Sequence, residues 1–455
     1  MNEVIRKWYE THSDEIKAWA KELWENPEVA LEEFDSAAVT AKFMEKYGFQ
    51  VETFHCKDNR LRPNTVVATW GSGHPVVGII GEYDALPGSG QEVVAHECPK
   101  EGNGQGCGHN LMTPSGGAAA IAIKAAMEAE GLSGTVKFFA CPAEEIVEGK
   151  MHLARDGVFD GLDCCMAWHP EGKELQVREN VQNSMTNMIV EFFGTTAHAA
   201  THPHKGRSAL DACELMNIGI NYLREHVEPT TRMHYAYLSA GDKPNVVPRY
   251  AAVHYFLRTK DLKSNYELFE RVKKIAQGAA LMTETEYKIT VNAMVTGCTQ
   301  NDGFNNFFYE AAMKIPPLTY TEEELAFARE LFENIHGRKP AEGESVIPTK
   351  ILKPTNIHEN SSGSTDAGYV TRLTPTSRLV GWGMITGTPM HSWGAVAAVG
   401  HELGFKASVY ASMAQAQCGY EVMKNPELTA KWREELNARL ADEGDLKPIF
   451  PERIS

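Results

Sequence analysis

The stretch GQGCGHNLMT, residues 104–113, sets Cys107 and His109 on either side of Gly108. In a locally extended loop alternate side chains point the same way, so this thiol and imidazole could meet at one point. The surrounding glycines permit unusual backbone angles. Taken alone, a Cys-x-His pair favours the plainer reading of a buried cysteine beside a structural histidine. Other segments add to the pair. CPAEE ends an apolar run with Glu144 and Glu145, AWHP carries His169, and PMHSW carries His391. Adjacent residues at a strand end face opposite sides, so one carboxylate could hold a metal while the other faces a water. In isolation the two would read as a solvated charge pair, and either histidine as an ordinary satisfied polar residue. Together Cys107, His109, Glu145, His169 and His391 offer a thiolate, three imidazoles and a carboxylate. That inventory suits two divalent transition-metal ions sharing a ligand and a water. Asp84, in GEYDALPG, could orient a ligand histidine, or almost as well serve only the turn before Ala-Leu-Pro-Gly.

These residues need elements to place them. Residues 3–48 read as two helices broken at Pro27. Apolar runs at 65–71, 75–86, 135–145 and 162–170 read as strands, and the small-residue run 116–131 as a helix capped by Gly131. Short apolar runs alternating with helices mark an α/β sheet, whose ligands gather at the carboxyl ends of strands. From residue 184 the order becomes β-α-β-β-α-β, ending in the strand at 286–295, which fits a split βαβ domain with four strands. The expected organisation is a first domain in two parts, 1–183 and 298–455, with 184–297 inserted between them. Within the last part Thr321 and Glu324 have capping-box spacing. Residues 338–364, rich in Pro, Gly, Ser and Glu, read as a surface excursion.

Composition narrows the class. The chain has 455 residues, enough for two or three domains. Its net charge of −16 argues against a nucleic-acid partner. The N-terminal segment lacks the apolar region of a signal peptide, and no apolar run approaches the ~18 residues of a membrane span. A cytoplasmic protein without a membrane partner is expected. Nine irregularly spaced cysteines argue for reduced thiols rather than a disulfide framework.

GEYDALPG, GCGHN, CPAEE, WHP, AHAATHPHKGRSALDA, PNVVP and GTPMHSW occur here in the order found in M20 metallopeptidases. The chain resembles that family from about residue 10 to 425, and most of all the aminobenzoyl-glutamate utilisation branch of its amidohydrolase-type members. The resemblance implies a zinc-peptidase-like α/β catalytic domain with an inserted ferredoxin-like dimerisation or lid domain. It implies two divalent ions, Mn²⁺ or Zn²⁺, with Cys107 between them and His109, Glu145, His169 and His391 as the other ligands. Glu144 is implied as general base on the attacking water. His198, in TTAHAA, matches a histidine that steadies the tetrahedral oxyanion; because the motif sits on the inserted domain, His198 is hypothesised to serve the neighbouring subunit's site, with lid closure within one chain as the alternative. Asn245, in PNVVP, and Arg258 match substrate-contacting positions; bare sequence would also allow a turn asparagine and a solvated edge charge.

The activity implied is metal-dependent hydrolysis of an N-acyl amino acid, aminobenzoyl compounds included, or a dipeptide with a free carboxylate. A homodimer is expected, with a heterodimer with a related subunit as the alternative. Two rival readings remain: hydrolytic deamination of an aromatic substrate, and a supporting subunit without its own activity. The second is opposed by the presence of all five ligands and Glu144. LMTPSGG after GHN and IVEGK after PAEE depart from the family pattern. Thr113, Pro114, Ile146 and Val147 are therefore expected to reshape the pocket.

Overall fold

The computed structural model describes residues 1–56, 62, 64–178, 182–355, 363–443 and 453–454. The chain opens with helices α1 (Glu3–Glu25) and α2 (Phe34–Lys46), then strands β1 (Gln50–Phe54), β2 (Thr65–Ser72) and β3 (Val76–Glu82). There follow α3 (His109–Glu130), β4 (Gly134–Cys141), α4 (Gly149–Arg155), β5 (Cys164–Glu171) and β6 (Leu175–Val177). Next come β7 (Ser184–Phe193), α5 (Ala209–Leu223), β8 (Arg232–Ser239), β9 (Tyr250–Thr259), α6 (Leu262–Thr283) and β10 (Glu286–Val295). The remainder is α7 (Asp302–Ala312), α8 (Glu322–His336), β11 (Ile351–Leu352), α9 (Gly368–Leu373), β12 (Thr376–Gly383), α10 (Trp393–Val399), α11 (Glu402–Lys424), α12 (Leu428–Glu443) and β13 (Arg453–Ile454). The described residues form two compact units. One draws on Met1–Glu179, Thr299–His358 and Val370–Asp442, the other on Asn180–Cys298, Glu359–Tyr369 and Glu443–Ser455.

The first unit is α/β with a mixed eight-stranded sheet, in the order β1-β2-β4-β3-β5-β12-β6-β11. β4, β3, β5 and β12 run parallel to one another, which brings their carboxyl ends to one rim. In register, Glu82 pairs with Cys141, and His169 with Val380. Helix α1 presents Ile5, Tyr9, Ile16, Trp19 and Leu23 as one buried stripe, at spacings that fit an amphipathic helix. Helix α3 is buried on nearly every side along its first 15 residues, 109–123.

Local sequence misplaced two boundaries at this rim. The helix after GCGH starts at His109, not 116, so His109 is its first residue rather than part of an extended loop. Gly108 precedes it with φ +81°, a left-handed conformation suited to glycine. Thr113, Pro114, Gly116 and Gly117 are poor helix formers, which hid the start. Tertiary packing overrides them: a Cβ on Gly116 would meet Phe138 at 2.9 Å and one on Gly117 would meet Trp19 at 2.7 Å. The strand before PAEE ends at Cys141, not at the glutamates. Glu144 and Glu145 lie in the following turn, bounded by Ala143 (φ +58°) and Val147 (φ +61°). The short helix α4, unforeseen in the sequence, takes the chain onward.

The second unit has the antiparallel sheet β13-β10-β7-β9-β8. α5 and α6 contribute Cys213, Met216, Ile220, Phe269, Val272 and Ala276 to its core. The capping box at Thr321 and Glu324 forms, with the Glu324 N–H donating to Thr321 Oγ1 at 3.2 Å and the Thr321 N–H to Glu324 Oε2 at 2.7 Å. The excursion at 338–364 contributes β11, which pairs with β6; its residues 356–362 lie outside the described ones. No helix among the described residues is long and apolar enough to cross a membrane.

Candidate metal centre

Four parallel strands end near one another, and the loops beyond them carry the chemistry. The end of β3 places Glu82, and the chain just beyond it Asp84, both buried. Asp84 acts in two directions. Its Oδ1 and its backbone carbonyl each lie 3.0 Å from His109 Nδ1. Its Oδ2 accepts the Glu145 N–H at 2.8 Å. The first contact assigns the imidazole proton to Nδ1 and leaves the Nε2 lone pair pointing into the site.

The Glu144–Val147 turn is held from a second side. Its closing bond runs from the Val147 N–H to the Glu144 carbonyl at 2.7 Å. Just before it, the Ala143 N–H donates to Glu33 Oε1 at 2.7 Å, while Glu33 Oε2 accepts from Asn64 Nδ2 at 2.7 Å. Two buried carboxylates, Glu33 and Asp84, thus clamp the turn that carries Glu144 and Glu145. The His391 loop docks through its own backbone, the His391 N–H donating to the Gly106 carbonyl at 2.9 Å. A side chain on Gly106 would press on His391 Cα at 3.2 Å, so glycine lets these loops touch.

The five candidate ligands converge. Cys107, His109 and His169 form one group whose ligand atoms lie within 4.8 Å of one another, and Cys107, Glu145 and His391 form a second. Cys107 belongs to both. A third group joins Glu82, His109 and Glu144. Two nitrogen or oxygen ligands bonded at 2.0–2.1 Å to one tetrahedral ion stand about 3.4 Å apart, and a thiolate with a nitrogen about 3.6 Å. Here Cys107 Sγ is 3.5 Å from His169 Nε2, and His391 Nε2 is 3.4 Å from Glu145 Oε2. His109 Nε2 and Glu145 Oε1 are buried without a hydrogen-bond partner among the described residues. Orphaned lone pairs of this kind are costly unless a cation meets them. The residues present fit a pair of divalent ions.

Charge states point the same way. Burial pushes the Cys107 thiol far above its ordinary range; His109 opposes this and Glu145 adds to it. A thiolate there needs a cation beside it. Burial also raises Glu145 to about 7, with His109 opposing and Asp84 and Glu82 adding. His169 falls to about 4 through burial and then through His109, so it stays neutral near pH 7 as a ligand must. Glu82 is held at about 2: burial works against its charge, but Lys150, His109 and His169 outweigh burial.

Sequence reading missed Glu82, Lys150 and Glu33. Glu82 had a signal, since it alternates with Asp84 at a strand end and so shares its side. Lys150 and Glu33 had none; each looks like a surface charge beside other charges. Of the departures from the family pattern, Thr113 donates its hydroxyl to the Glu82 carbonyl at 2.9 Å, tying α3 to the end of β3. Pro114 and Val147 are buried and Ile146 is half-buried.

The three remaining predicted residues belong to the second unit. His198 is exposed and bridges to Val246, and the Ala199 N–H donates to the Asn245 carbonyl at 3.0 Å. His198 Nδ1 accepts from the N–H groups of Ala200 at 3.2 Å and Thr201 at 3.3 Å. The proton therefore sits on Nε2, which makes the outer edge of the ring a donor. Asn245 is exposed. Arg258, on β9, lies over the Phe256 ring at 5.3 Å, and its Nε is buried without a hydrogen-bond partner among the described residues.

The model of peptidase family M20/M25/M40 matches residues 78–395. The chain is 35% identical to one of the subunits of p-aminobenzoyl-glutamate hydrolase from Escherichia coli (strain K12), over 87% of this chain and 86% of that one. In fold it is similar to the aminobenzoyl-glutamate utilization protein from Klebsiella pneumoniae, with TM-score 0.62 and 18% identity, covering 92% of this chain and 98% of that one. It is also similar to the YXEP protein of Bacillus subtilis, described as a dinuclear metal-binding peptidase from the M20 family, with TM-score 0.58, 18% identity and coverage of 91% and 99%.

Proposed function

This chain belongs to peptidase family M20/M25/M40 and is a hydrolase, and from that premise we propose that it cleaves the amide bond of an N-acyl amino acid or dipeptide bearing a free carboxylate. Aminobenzoyl-glutamate is the first substrate to try, because the chain resembles a component of a hydrolase named for it along most of both lengths. The observation that carries the reading is Cys107, shared by two groups of three ligand-type side chains.

Cys107, His109 and His169 would hold one divalent ion, and Cys107, Glu145 and His391 the other. The thiolate favours Zn²⁺, with Mn²⁺ the alternative. When bound, such ions supply Lewis acidity, polarising a carbonyl and acidifying a water. Glu144 takes the proton of the attacking water and returns it to the leaving nitrogen. Asp84 keeps His109 in the tautomer that leaves Nε2 open and holds the glutamate turn in place. His198, with its proton on Nε2, donates to the oxyanion. Arg258 and Asn245 bind the substrate, the arginine through the carboxylate.

The second unit serves as an inserted ferredoxin-like domain at about 184–297, between catalytic parts 1–183 and 298–455. Its βαββαβ order and the strand order β10-β7-β9-β8 support this reading. It joins two copies into a homodimer in which His198 serves the neighbour's site. Pairing with a related subunit is the second reading, favoured by the relative's being one subunit of its enzyme. Nine free cysteines support a reducing compartment, the cytoplasm.

The test is a screen of N-acyl amino acids and dipeptides, aminobenzoyl-glutamate among them, with the purified chain reconstituted with Zn²⁺ or Mn²⁺. Release of a carboxylic acid and a free amine is expected. Ammonia without a carboxylic acid product would overturn the reading in favour of deamination. Activity appearing only on addition of a second chain would establish the supporting-subunit alternative.

A further inference from the structure

Glu82 ends β3, is 2% exposed, and turns its two oxygens to different partners. Oε1 lies 2.6 Å from Nζ of Lys150, a lysine with 0% exposure near the start of α4. Oε2 lies 3.3 Å from His109 Nε2. Neither Glu82 Oε2 nor His109 Nε2 has a hydrogen-bond partner among the described residues. This is a poor design for a purely structural ion pair. His109 Nδ1 already faces Asp84, so in a neutral ring Nε2 is an acceptor, and a carboxylate oxygen is an acceptor too. Two buried lone pairs facing each other at that distance need a positive charge between them: a proton on His109, which burial opposes but Cys107 and Asp84 favour, or a metal ion that takes the proton's place. Their separation matches the about 3.4 Å expected of neighbouring ligands on one tetrahedral ion.

Lys150 fits the same account. Glu82 and Glu144 share one group of ligand-type side chains with His109, and Cys107 and Glu145 share another with His391. Burying that much negative charge is expensive unless fixed positive charge offsets part of it. A lysine at one oxygen of Glu82 does so and fixes the carboxylate plane, leaving the other oxygen aimed at His109. We propose that Glu82 is a further metal ligand, on the ion held by His109, and that Lys150 is the positioning residue that orients it. The proposal rests on the metal reading above and extends it by a ligand outside the five family positions.

Removing Glu82 alone would take a carboxylate from beside a buried ammonium 2.6 Å away and could unfold the protein for that reason. The decisive variant is therefore the double one, Glu82→Gln with Lys150→Met, which removes both charges and keeps both volumes. Apoprotein of wild type and of the double variant is titrated with Zn²⁺ against a chromophoric chelator. Metal content is counted by elemental analysis, and folding is followed by circular dichroism. The expected result is a folded double variant in which one of two Zn²⁺ ions binds at least about 10-fold more weakly, while the other is unchanged. Lys150→Met alone should weaken the same ion less, because the ligand stays but loses its orientation. A folded double variant that binds two ions with wild-type affinity would overturn the proposal and leave Glu82 and Lys150 as a structural pair. If the double variant does not fold, Glu82→Asp replaces it, keeping the charge beside Lys150 but shortening the reach; unchanged Zn²⁺ affinity there would overturn the proposal equally. Wild type that binds no Zn²⁺ or Mn²⁺ would instead sink the metal reading itself, a distinct outcome.

Discussion

The rim of the first unit and the loop edge of the second unit carry their proposed functional residues in opposite ways. At the rim, Cys107, His109, Glu82 and Asp84 are buried, and His109 and Glu145 are each hydrogen-bonded to Asp84. In the second unit, His198 and Asn245 are exposed, and their hydrogen bonds at His198 Nδ1 and the Asn245 carbonyl are to local backbone. The first arrangement is organised before anything binds, as electrostatic catalysis requires. The second presents the Nε2 edge of an exposed ring, which the proposed function uses as a donor. Buried, mutually oriented groups should fail when any one is altered. Exposed ones should fail only in the step that uses them.

The sharpest break of this contrast lies within the glutamate turn. Glu144→Gln should keep the metals and lose kcat by about 10²–10⁴-fold, the usual worth of a general base. Glu145→Gln should lose metal instead, read by elemental analysis. Reversed behaviour would exchange their roles. Cys107→Ser should lower metal content and activity together, since a neutral hydroxyl replaces the thiolate common to both groups; full metal occupancy in that variant would remove Cys107 from the ligand set.

Next in size is His198→Ala, expected to lower kcat by about 10²–10³-fold with metal content unchanged. Mixing it with Glu144→Gln under conditions of subunit exchange separates the two regions directly. If His198 acts across a dimer, half of the dimers are hybrids and roughly a quarter of wild-type activity returns. A mixture that stays inactive despite demonstrated exchange would confine His198 to its own chain. Arg258→Ala should raise KM about 10–100-fold with little change in kcat, equivalent to the 1.5–3 kcal/mol of a hydrogen bond to a charged group.

A smaller effect is a dependence on pH that belongs to the rim. Burial, with Asp84 second, raises Glu33 to about 8, and burial raises Glu145 to about 7. Both lie above the ordinary carboxyl value, so between about pH 4.5 and 8 these two groups hold more protons in the folded apoprotein than in the unfolded chain, while His169, lowered to about 4, holds fewer up to about pH 6.5. Their contribution to apoprotein stability should therefore fall as pH rises, unopposed by His169 above about pH 6.5. Metal binding needs deprotonated ligands, so stabilisation by Zn²⁺ should grow over the same window. Melting temperatures of apo and loaded protein should diverge with rising pH, and parallel curves would contradict these shifts. Smallest of all, Thr321→Ala breaks a capping box away from both regions. It should cost about 1 kcal/mol in denaturant unfolding without altering metal content.

Much of this was legible in sequence because ligand-type residues sit in short motifs at the ends of apolar runs. GCGH, PAEE, WHP and PMHSW announced themselves by residue type, and strand-helix alternation announced the sheet. The start of α3 was not legible, because Pro114, Gly116 and Gly117 oppose a helix by propensity and are tolerated only for close packing against Phe138 and Trp19. Nor was α4, seven residues long, whose stretch carries little periodic signal.

What the sequence determined by itself, then, was the kind of chemistry: which side chains could bind a metal, which could move a proton, and the order in which strands deliver them. Only the tertiary structure decided how those groups are charged and aimed. The His109 tautomer depends on Asp84, 25 residues away, and the angle of the glutamate turn depends on Glu33, 110 residues from Ala143. The charge on Glu82 depends on Lys150. Periodicity and spacing record what neighbours along the chain share. A buried proton or carboxylate is governed by whatever lies within a few ångströms, and in this fold those neighbours come from distant segments.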